Sequence, residues 1–230
     1  MAEPMKFDSQ LAAEYDKGVR RTLPTYDSML RLTHTFLRAN LPEQSSLLIV
    51  GGGGGNEIKT FGPENRDWIF TAIDPSQAML EAGKAKIQQL GIDERVEWIA
   101  GTVSNIPAKA IFDGATCLLV LHFIADVNEK LMLLKKVRAH LKTGAPFVLV
   151  SKAGDPNSEE FKEQVELWKN YWLDTTGLAE EKMDELIKGT LTEASITEEK
   201  LRELLAEAGF QRIARFFQTN HFCGWICHAD

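Results

Sequence analysis

The chain has 230 residues, which fits one large α/β domain, and its 44% hydrophobic and 26% charged residues are ordinary for a soluble globular protein. A formal net charge of −7 argues against an electrostatically held nucleic-acid partner, although it leaves a local basic patch open. No apolar run reaches the roughly 18 residues that a membrane-spanning helix needs. Three cysteines give no even disulfide framework, so we expect a cytoplasmic protein with reduced, buried thiols at Cys117, Cys223 and Cys227, and no metal site.

The first predicted helix covers about 26–40, with Met29, Phe36 and Leu37 on or near one face. Tyr15 and Tyr26 flank a basic pair just before it. Periodicity alone favours a solvated helix with hydrogen-bonded tyrosines.

A glycine run is the most informative stretch of the chain. Residues 47–50 are bulky and apolar, which predicts a buried parallel strand, and five glycines follow at 51–55. Glycine allows a sharp turn at positive φ and leaves room for a ligand close to the backbone. A strand, a glycine turn and a helix together predict a cradle for a nucleotide-like ligand at the carboxyl edge of a parallel sheet. The alternative is a flexible polyglycine linker, which lacks such flanking elements.

A second strand is predicted at 68–73, and Asp74 follows it, 19 residues after Gly55. A carboxylate there can accept both ribose hydroxyls of an adenosine lying over the glycine turn. The alternative role for Asp74 is that of a helix N-cap. Pro75 suits the first turn of the following helix.

Strand and helix continue to alternate, which predicts a doubly wound sheet. Further strands are predicted at 95–100, 112–121 and 146–151, and an amphipathic helix at 130–141. A capped helix at about 198–208 is followed by strands at about 211–218 and 221–228, whose short connection implies a hairpin and an antiparallel last strand.

Residues 155–195 interrupt the alternation with two helical stretches and no strand. One of them carries Phe161, Val165, Trp168 and Trp172 at helical spacing. Such an aromatic stripe usually serves core packing, and a lid over the ligand edge of the sheet is compatible with both packing and substrate contact.

Two other nucleotide-binding motifs do not fit. The dinucleotide fingerprint requires Gly or Ala three residues after its second glycine, and that position is Asn56. No Gly-Lys-Ser/Thr follows the turn, so the Walker motif is absent as well.

Over nearly its whole length the chain resembles class I S-adenosylmethionine-dependent methyltransferases. The resemblance rests on the ordered series of motifs at 49–55, 72–80, 100–107, 121–124 and 204–210. It implies a single domain over 1–230 with a doubly wound, seven-stranded, mostly parallel sheet and an antiparallel last strand. It also implies S-adenosylmethionine as cofactor, with S-adenosylhomocysteine as product, a small-molecule methyl acceptor and a homodimer. The cofactor contacts implied by the resemblance are Tyr26, Gly51, Gly52, Gly53, Asp74, Pro75, Thr102, Val103 and Leu119.

A narrower resemblance is to the branch that contains the tRNA wobble-uridine carboxymethyl transferase. It rests on the opening at 7–26, the insertion at 168–171 and the ending at 215–222. It implies that residues 1–40 form a helical cap over the cofactor and that residues 155–195 are a lid. The carboxymethyl enzyme also needs an arginine in the insertion, and residues 163–180 contain none, which favours ordinary S-adenosylmethionine.

Two positions depart from the family pattern. The first-motif acid is Ile49 here, and the common acid of the adenine loop is Thr102. Both changes remove negative charge near a cationic cofactor, so we expect weaker binding than the family norm or compensation by other residues. These departures leave a catalytically silent binding protein as an alternative, and the narrower resemblance leaves a tRNA-modifying enzyme as another.

A general base is needed only for a poorly ionised hydroxyl or a protonated amine. His122 is the best candidate, against the alternative that it packs under the lid, and His221 and Tyr26 are weaker ones. The sequence assigns no catalytic residue.

Overall fold

The computed structural model describes residues 7–107, 111–177, 179–190 and 194–230, with the backbone alone at 185, 186 and 188–190. Seven strands form one sheet in the order β3-β2-β1-β4-β5-β7-β6. Their bounds are β1 (Ser45–Val50), β2 (Trp68–Asp74), β3 (Val96–Ala100), β4 (Gly114–Leu118), β5 (Pro146–Lys152), β6 (Phe210–Thr219) and β7 (Phe222–Ala229). Strand β7 is antiparallel to both β5 and β6, and the other pairs are parallel. The predicted fold class is confirmed.

Eight α-helices connect or cover these strands within the described residues. They are α1 (Ser9–Thr22), α2 (Tyr26–Asn40), α3 (Asn56–Phe61), α4 (Gln77–Gln88), α5 (Val127–Ala139), α6 (Glu159–Thr176), α7 (Glu180–Thr190) and α8 (Glu198–Glu207). The predicted helix at 26–40 matches α2. The parts of the predicted cap at 1–6 and of the predicted lid at 178 and 191–193 lie outside the described residues.

Both faces of the sheet are buried, which explains why β1 is apolar without alternation. Leu47 and Ile49 pack into one core on one face, whereas Leu48 and Val50 pack into a second core on the other. The three cysteines are buried, as expected, and burial raises the pKa of the Cys117 thiol to about 12. No described helix is long and apolar enough to cross a bilayer.

Three predicted boundaries differ from the structure. Strand β4 ends at Leu118 because Leu119 has a φ of 60° and turns the chain out of the strand. Helix α5 begins at Val127 because the Asp126 carboxylate accepts a hydrogen bond from the Glu129 amide at 2.9 Å and caps it. Pro75 precedes helix α4, which begins at Gln77, so it does not occupy the first helical turn.

Helices α1 and α6 meet over the carboxyl edge of the sheet. The Trp168 indole nitrogen of α6 donates to the Thr22 carbonyl at the end of α1 at 2.7 Å. The same ring packs against His221 and Phe222, which stand where β7 begins beside the end of β5. The insertion therefore covers the β5 and β7 end of this edge.

Candidate cofactor site

The glycine run forms a tight turn between β1 and α3. Gly51 and Gly55 have φ values of 72° and 68°, in the left-handed region that favours glycine. A Cβ atom at Gly51 would lie 2.2 Å from Val120 Cγ2, and one at Gly53 would lie 2.7 Å from Asp74 Oδ2. The turn is therefore bare backbone, and its close packing requires glycine.

Asp74 ends β2 directly beside this turn. Its Oδ2 accepts a hydrogen bond from the Gly53 amide at 3.1 Å, and its Oδ1 accepts one from the Ser76 amide at 2.8 Å. The N-cap of α4 is Ser76, whose hydroxyl accepts from the Met79 amide, so Asp74 is not the helix cap. Burial raises the pKa of Asp74, and the two amide hydrogen bonds oppose that shift. Each carboxylate oxygen keeps a lone pair free to accept a ribose hydroxyl.

The predicted adenine loop follows β3 next to Asp74. The Gly101 amide donates to the Asp74 carbonyl at 2.9 Å, which joins the two loops. Val103 is buried, whereas Thr102 and Pro75 are exposed. The Thr102 amide donates to Asn105 Oδ1 at 2.8 Å, so a side chain of the loop itself accepts the hydrogen bond there.

Tyr26 and Leu119 lie in the core that also contains Ile49. The Tyr26 hydroxyl accepts a hydrogen bond from Asn56 Nδ2 at 3.1 Å, which links it to the residue after the glycine run. The Leu119 amide donates to the Val150 carbonyl at 2.8 Å. Tyr26 is therefore linked to the start of α3, next to the glycine turn, whereas Leu119 is linked to β5.

The N-terminal segment lies across the open side of the turn. A Cβ atom at Gly54 would lie 3.1 Å from Tyr15 Cε1, so the tyrosine ring rests on the turn itself. The Phe7 carbonyl accepts from the Ser76 hydroxyl at 2.6 Å, and the Phe7 ring meets Phe123 edge-on at 5.4 Å. The segment therefore spans from the end of β2 to the turn after β4.

Lys86 fastens this segment to the turn. Its ammonium donates to Asp16 Oδ1 at 2.8 Å, to the Gly54 carbonyl at 2.6 Å and to Asn56 Oδ1 at 2.7 Å. Helix α1 is thus held to α4 and to the glycine turn by one half-buried cation.

A buried acid that the sequence did not single out stands next to Ile49. Glu57 is 6% exposed, and its Oε1 accepts a hydrogen bond from the Thr116 hydroxyl at 3.1 Å. Thr116 is the β4 residue paired with Ile49 of β1. Glu57 makes no ion pair with a described residue, and burial raises its pKa to about 7. A carboxylate thus reaches the neighbourhood of the missing first-motif acid from α3. The available sequence signal was its place two residues after the glycine run.

His122 is buried, and its Nδ1 accepts a 3.4 Å hydrogen bond from the Lys152 amide. Burial and the nearby Lys152, Lys130 and His221 hold its pKa well below the usual value. Because the lone pair faces the backbone, the geometry favours packing over general-base chemistry. Within the described part of the chain, no three His, Cys, Asp or Glu side chains cluster as metal ligands.

Residues 48–147 match the family model of a methyltransferase domain, and they contain the glycine turn, Asp74 and the adenine loop. This stretch is therefore a methyltransferase domain, and the sheet around it has the Rossmann-like fold of class I S-adenosylmethionine-dependent methyltransferases. Its cofactor is S-adenosylmethionine, and the residues around the glycine turn and Asp74 fit that group.

Proteins similar to this chain align with it over nearly its whole length. Carboxy-S-adenosyl-L-methionine synthase of Campylobacter concisus is 23% identical over 230 residues, covering 98% of this chain and 95% of that protein. A putative S-adenosyl-L-methionine-dependent methyltransferase from Methanococcus maripaludis superimposes with a TM-score of 0.66 at 16% identity, covering 100% of this chain and 96% of the other. A putative O-methyltransferase from Nostoc punctiforme gives a TM-score of 0.68 at 16% identity and covers 96% of this chain but 59% of its own. These likenesses do not confirm the wobble-uridine branch.

Proposed function

We propose that this methyltransferase transfers the methyl group of S-adenosylmethionine to a small-molecule acceptor at the carboxyl edge of the sheet. The observation that carries the proposal is the contact between the glycine turn and Asp74 through the Gly53 amide. It supports a cofactor placed across β1 and β2, with the ribose on Asp74 and the adenine near Val103. When bound, S-adenosylmethionine supplies an activated methyl group on a sulfonium.

The protein's own part is to bind, orient and exclude water, because proximity supplies most of the rate of such a displacement. Asp74 and the turn fix the adenosine side. The segment with Phe7 and Tyr15 covers it, as the predicted cap would, and Lys86 holds that cover in place.

Glu57 supplies the negative charge that Ile49 lacks. Its carboxylate is buried beside the turn, accepts a hydrogen bond from Thr116 and forms no ion pair among the described residues, and Lys86 acts on it only from a longer distance. A buried carboxylate without a cationic partner is unfavourable until a positive ligand arrives. We therefore assign Glu57 to the positively charged methionine end of the cofactor, which argues that Ile49 does not disable cofactor binding.

The acceptor is a small molecule because helical elements cover the edge where methyl transfer would occur. Helix α6 lies over the ends of β5 and β7, and its Trp168 is hydrogen-bonded to the end of α1. We assign the lid role to α6 on this basis. The homodimer stays a prediction of the family resemblance.

Isothermal titration with S-adenosylmethionine and S-adenosylhomocysteine tests the cofactor site. We expect micromolar binding that falls about a hundredfold or more in Asp74→Ala, because a charged acceptor of two hydroxyls is lost. Asp67→Ala, at an exposed acid before β2, is the matched control and should bind normally. Absence of binding in the wild type, or normal binding in Asp74→Ala, would contradict the proposal.

A second candidate activity comes from the relatives of nearly equal length, which are named for the synthesis of carboxy-S-adenosyl-L-methionine. Mass spectrometry of the cofactor that copurifies with the protein distinguishes the two activities. A cofactor heavier than S-adenosylmethionine by a carboxyl group favours the second candidate, and unmodified S-adenosylmethionine or its homocysteine product favours the first.

A further inference from the structure

Lys152, the last residue of β5, is a buried cation without an acid. The residue is 6% exposed, and no carboxylate among the described residues forms an ion pair with it. Its ammonium lies 5.2 Å from the centre of the Trp168 ring and 5.6 Å from that of Phe222. Burial lowers the pKa of Lys152 to about 7, and no neighbouring charge opposes that shift. Aromatic faces stabilise an ammonium, but they replace the lost hydration only in part.

The groups around Lys152 are also free of acids. His221 is fully buried, stacks on Phe222 at 4.6 Å and meets Trp168 edge-on at 5.1 Å. Its Nε2 has no hydrogen-bond partner among the described residues. Buried polar atoms in native proteins are nearly always hydrogen-bonded, so an unpartnered nitrogen beside an unpaired ammonium points to a ligand.

A nearby lysine shows how this chain satisfies a buried ammonium when no ligand is needed. Lys130 is 1% exposed, and its ammonium donates to the Leu121 and Ile124 carbonyls. Lys152 has no such carbonyl partner among the residues that the structure describes. The contrast indicates that the hydrogen-bonding capacity of Lys152 is kept open.

The strand order places this cluster on the acceptor side. The predicted adenosine contacts follow β1, β2 and β3, and the sheet continues in the opposite direction through β4, β5 and β7. Lys152 ends β5, His122 follows β4 and His221 precedes β7, so all three stand at the remaining part of the same edge. Trp168 of α6 packs against His221 and Lys152 and covers the cluster on the side of α6.

We propose that Lys152 binds an anionic oxygen of the methyl acceptor, a carboxylate or a phenolate, while Trp168, Phe222 and His221 contact a planar body. The proposal rests on the proposed function, since it names the acceptor class of the same site. A cation desolvated by aromatic rings gains most from an anion that arrives with its own apolar surface. His221 Nε2 then pairs with a hydroxyl or carboxyl proton of the same molecule.

Binding of matched pairs of aromatic compounds tests this assignment. Calorimetric titration uses protein saturated with S-adenosylhomocysteine. Three carboxylates, benzoate, 4-hydroxybenzoate and indole-3-carboxylate, are each compared with the corresponding neutral amide. The phenolate 4-nitrophenolate is compared with neutral 4-nitroanisole. We expect the anions to bind about tenfold or more tightly than their neutral partners, because a charge-assisted hydrogen bond is lost in the neutral form. Preference for carboxylates or for the phenolate distinguishes the two anion sources.

Variants assign the preference to Lys152. Lys152→Met should abolish it, and Lys152→Arg should keep part of it. Lys135→Met is the matched control, since Lys135 is exposed and paired with Glu207 on the surface, and it should leave the preference unchanged. If Lys152→Met does not fold, the wild-type preference and the shorter neutral variant Lys152→Gln decide the question.

Three results would overturn the proposal: neutral partners that bind as well as the anions, a preference that survives in Lys152→Met, or no anion bound while S-adenosylhomocysteine binds normally. A copurified, carboxylated cofactor that is lost in Lys152→Met would assign the anion to the cofactor and also overturn it. Failure of the proposed function is separate, because it shows as absent S-adenosylhomocysteine binding, and the same pairs titrated without cofactor still test Lys152.

Discussion

The two halves of the carboxyl edge of the sheet differ in the sign of the buried charge that has no ion-pair partner. The half over β1 and β2 holds Asp74 and Glu57, neither of which forms an ion pair within the described residues. The half over β4, β5 and β7 holds Lys152 and His221 with no acid beside them. A sulfonium cofactor and an anionic acceptor are the complementary pair for such an edge.

Uncompensated buried charge destabilises a folded protein, and perturbed groups of this kind concentrate at functional sites. The Glu57 carboxylate and the Lys152 ammonium both have their pKa moved to about 7 by burial, from opposite directions. The comparison therefore predicts a shared signature: neutralising either group makes the protein without ligands more stable and impairs binding in that half alone.

The largest expected effect comes from filling the glycine turn. A methyl group at Gly53 would lie 2.6 Å from Met79 Cβ, so Gly53→Ala should lower the free energy of unfolding by about 3 kcal/mol and abolish cofactor binding. Urea denaturation and titration measure the two effects. The anions should still bind at Lys152 if the halves are independent. Gly18→Ala in α1 is the control: nothing lies within 4 Å of the added Cβ atom, so the variant should raise the free energy of unfolding by about 0.5–1 kcal/mol. Normal cofactor binding by Gly53→Ala would contradict the assignment of the turn.

Lys152→Met should raise stability at pH 7 by about 2–4 kcal/mol, because the folded state no longer buries an ammonium. In the wild type the folded pKa of about 7 lies below the usual 10.5, so stability increases as the pH rises between these values. The advantage of the variant should therefore shrink towards pH 10. Thermal unfolding across this range measures it, with Lys135→Met as the reference. An advantage that does not change with pH would show that the gain comes from packing.

Glu57→Gln acts in the other half with the opposite pH dependence. The folded pKa of about 7 lies above the usual 4.5, so the wild type loses stability as the pH rises between these values, and the variant should gain about 1–3 kcal/mol at pH 8 and nothing below pH 4.5. Its affinity for S-adenosylmethionine and S-adenosylhomocysteine should fall about tenfold.

Proton release distinguishes the role of Glu57 from a structural one. Cofactor binding near pH 7 should release protons in the wild type, because a cation favours the carboxylate, and calorimetry in buffers of different ionisation enthalpy detects them. The release should disappear in Glu57→Gln and persist in Glu64→Gln, an exposed acid paired with Arg38. Equal proton release in wild type and Glu57→Gln would contradict the role that we assign.

The smallest effect concerns the hydrogen bond between α1, which lies over the glycine turn, and α6, which lies over the ends of β5 and β7. Trp168→Phe removes the donor to the Thr22 carbonyl and should cost about 1 kcal/mol, with faster hydrogen exchange in α1. Trp172→Phe is the control, since the Trp172 indole nitrogen has no acceptor among the described residues. Unchanged exchange in Trp168→Phe would mean that α1 is held without α6.

The sequence predicted the strands and the closing hairpin because local periodicity and turn chemistry determine those features. Asp74 was predicted for the same reason: it directly follows a strand. Boundaries that depend on one side chain, such as the Asp126 cap of α5, were missed. Glu57 and Lys152 were not predicted as site residues, since their burial depends on partners 59 residues away at Thr116 and, for Lys152, on Trp168 and Phe222. A charge next to an apolar strand or turn gives no local sign of whether water reaches it.

The contacts that close the N-terminal segment over the site have a consequence for synthesis. Thr22 is hydrogen-bonded to Trp168, which lies 146 residues later in the sequence. The Thr25 hydroxyl is hydrogen-bonded at 2.6 Å to the hydroxyl of Thr219, 194 residues later. The first helices therefore leave the ribosome long before their partners exist, and such distant pairings form slowly. The contacts of the same segment with Ser76 and Lys86 involve residues that are translated much earlier than Trp168 and Thr219. The N-terminal segment is therefore attached at the glycine turn first and at α6 and β6 later, in the order in which its partners are synthesised.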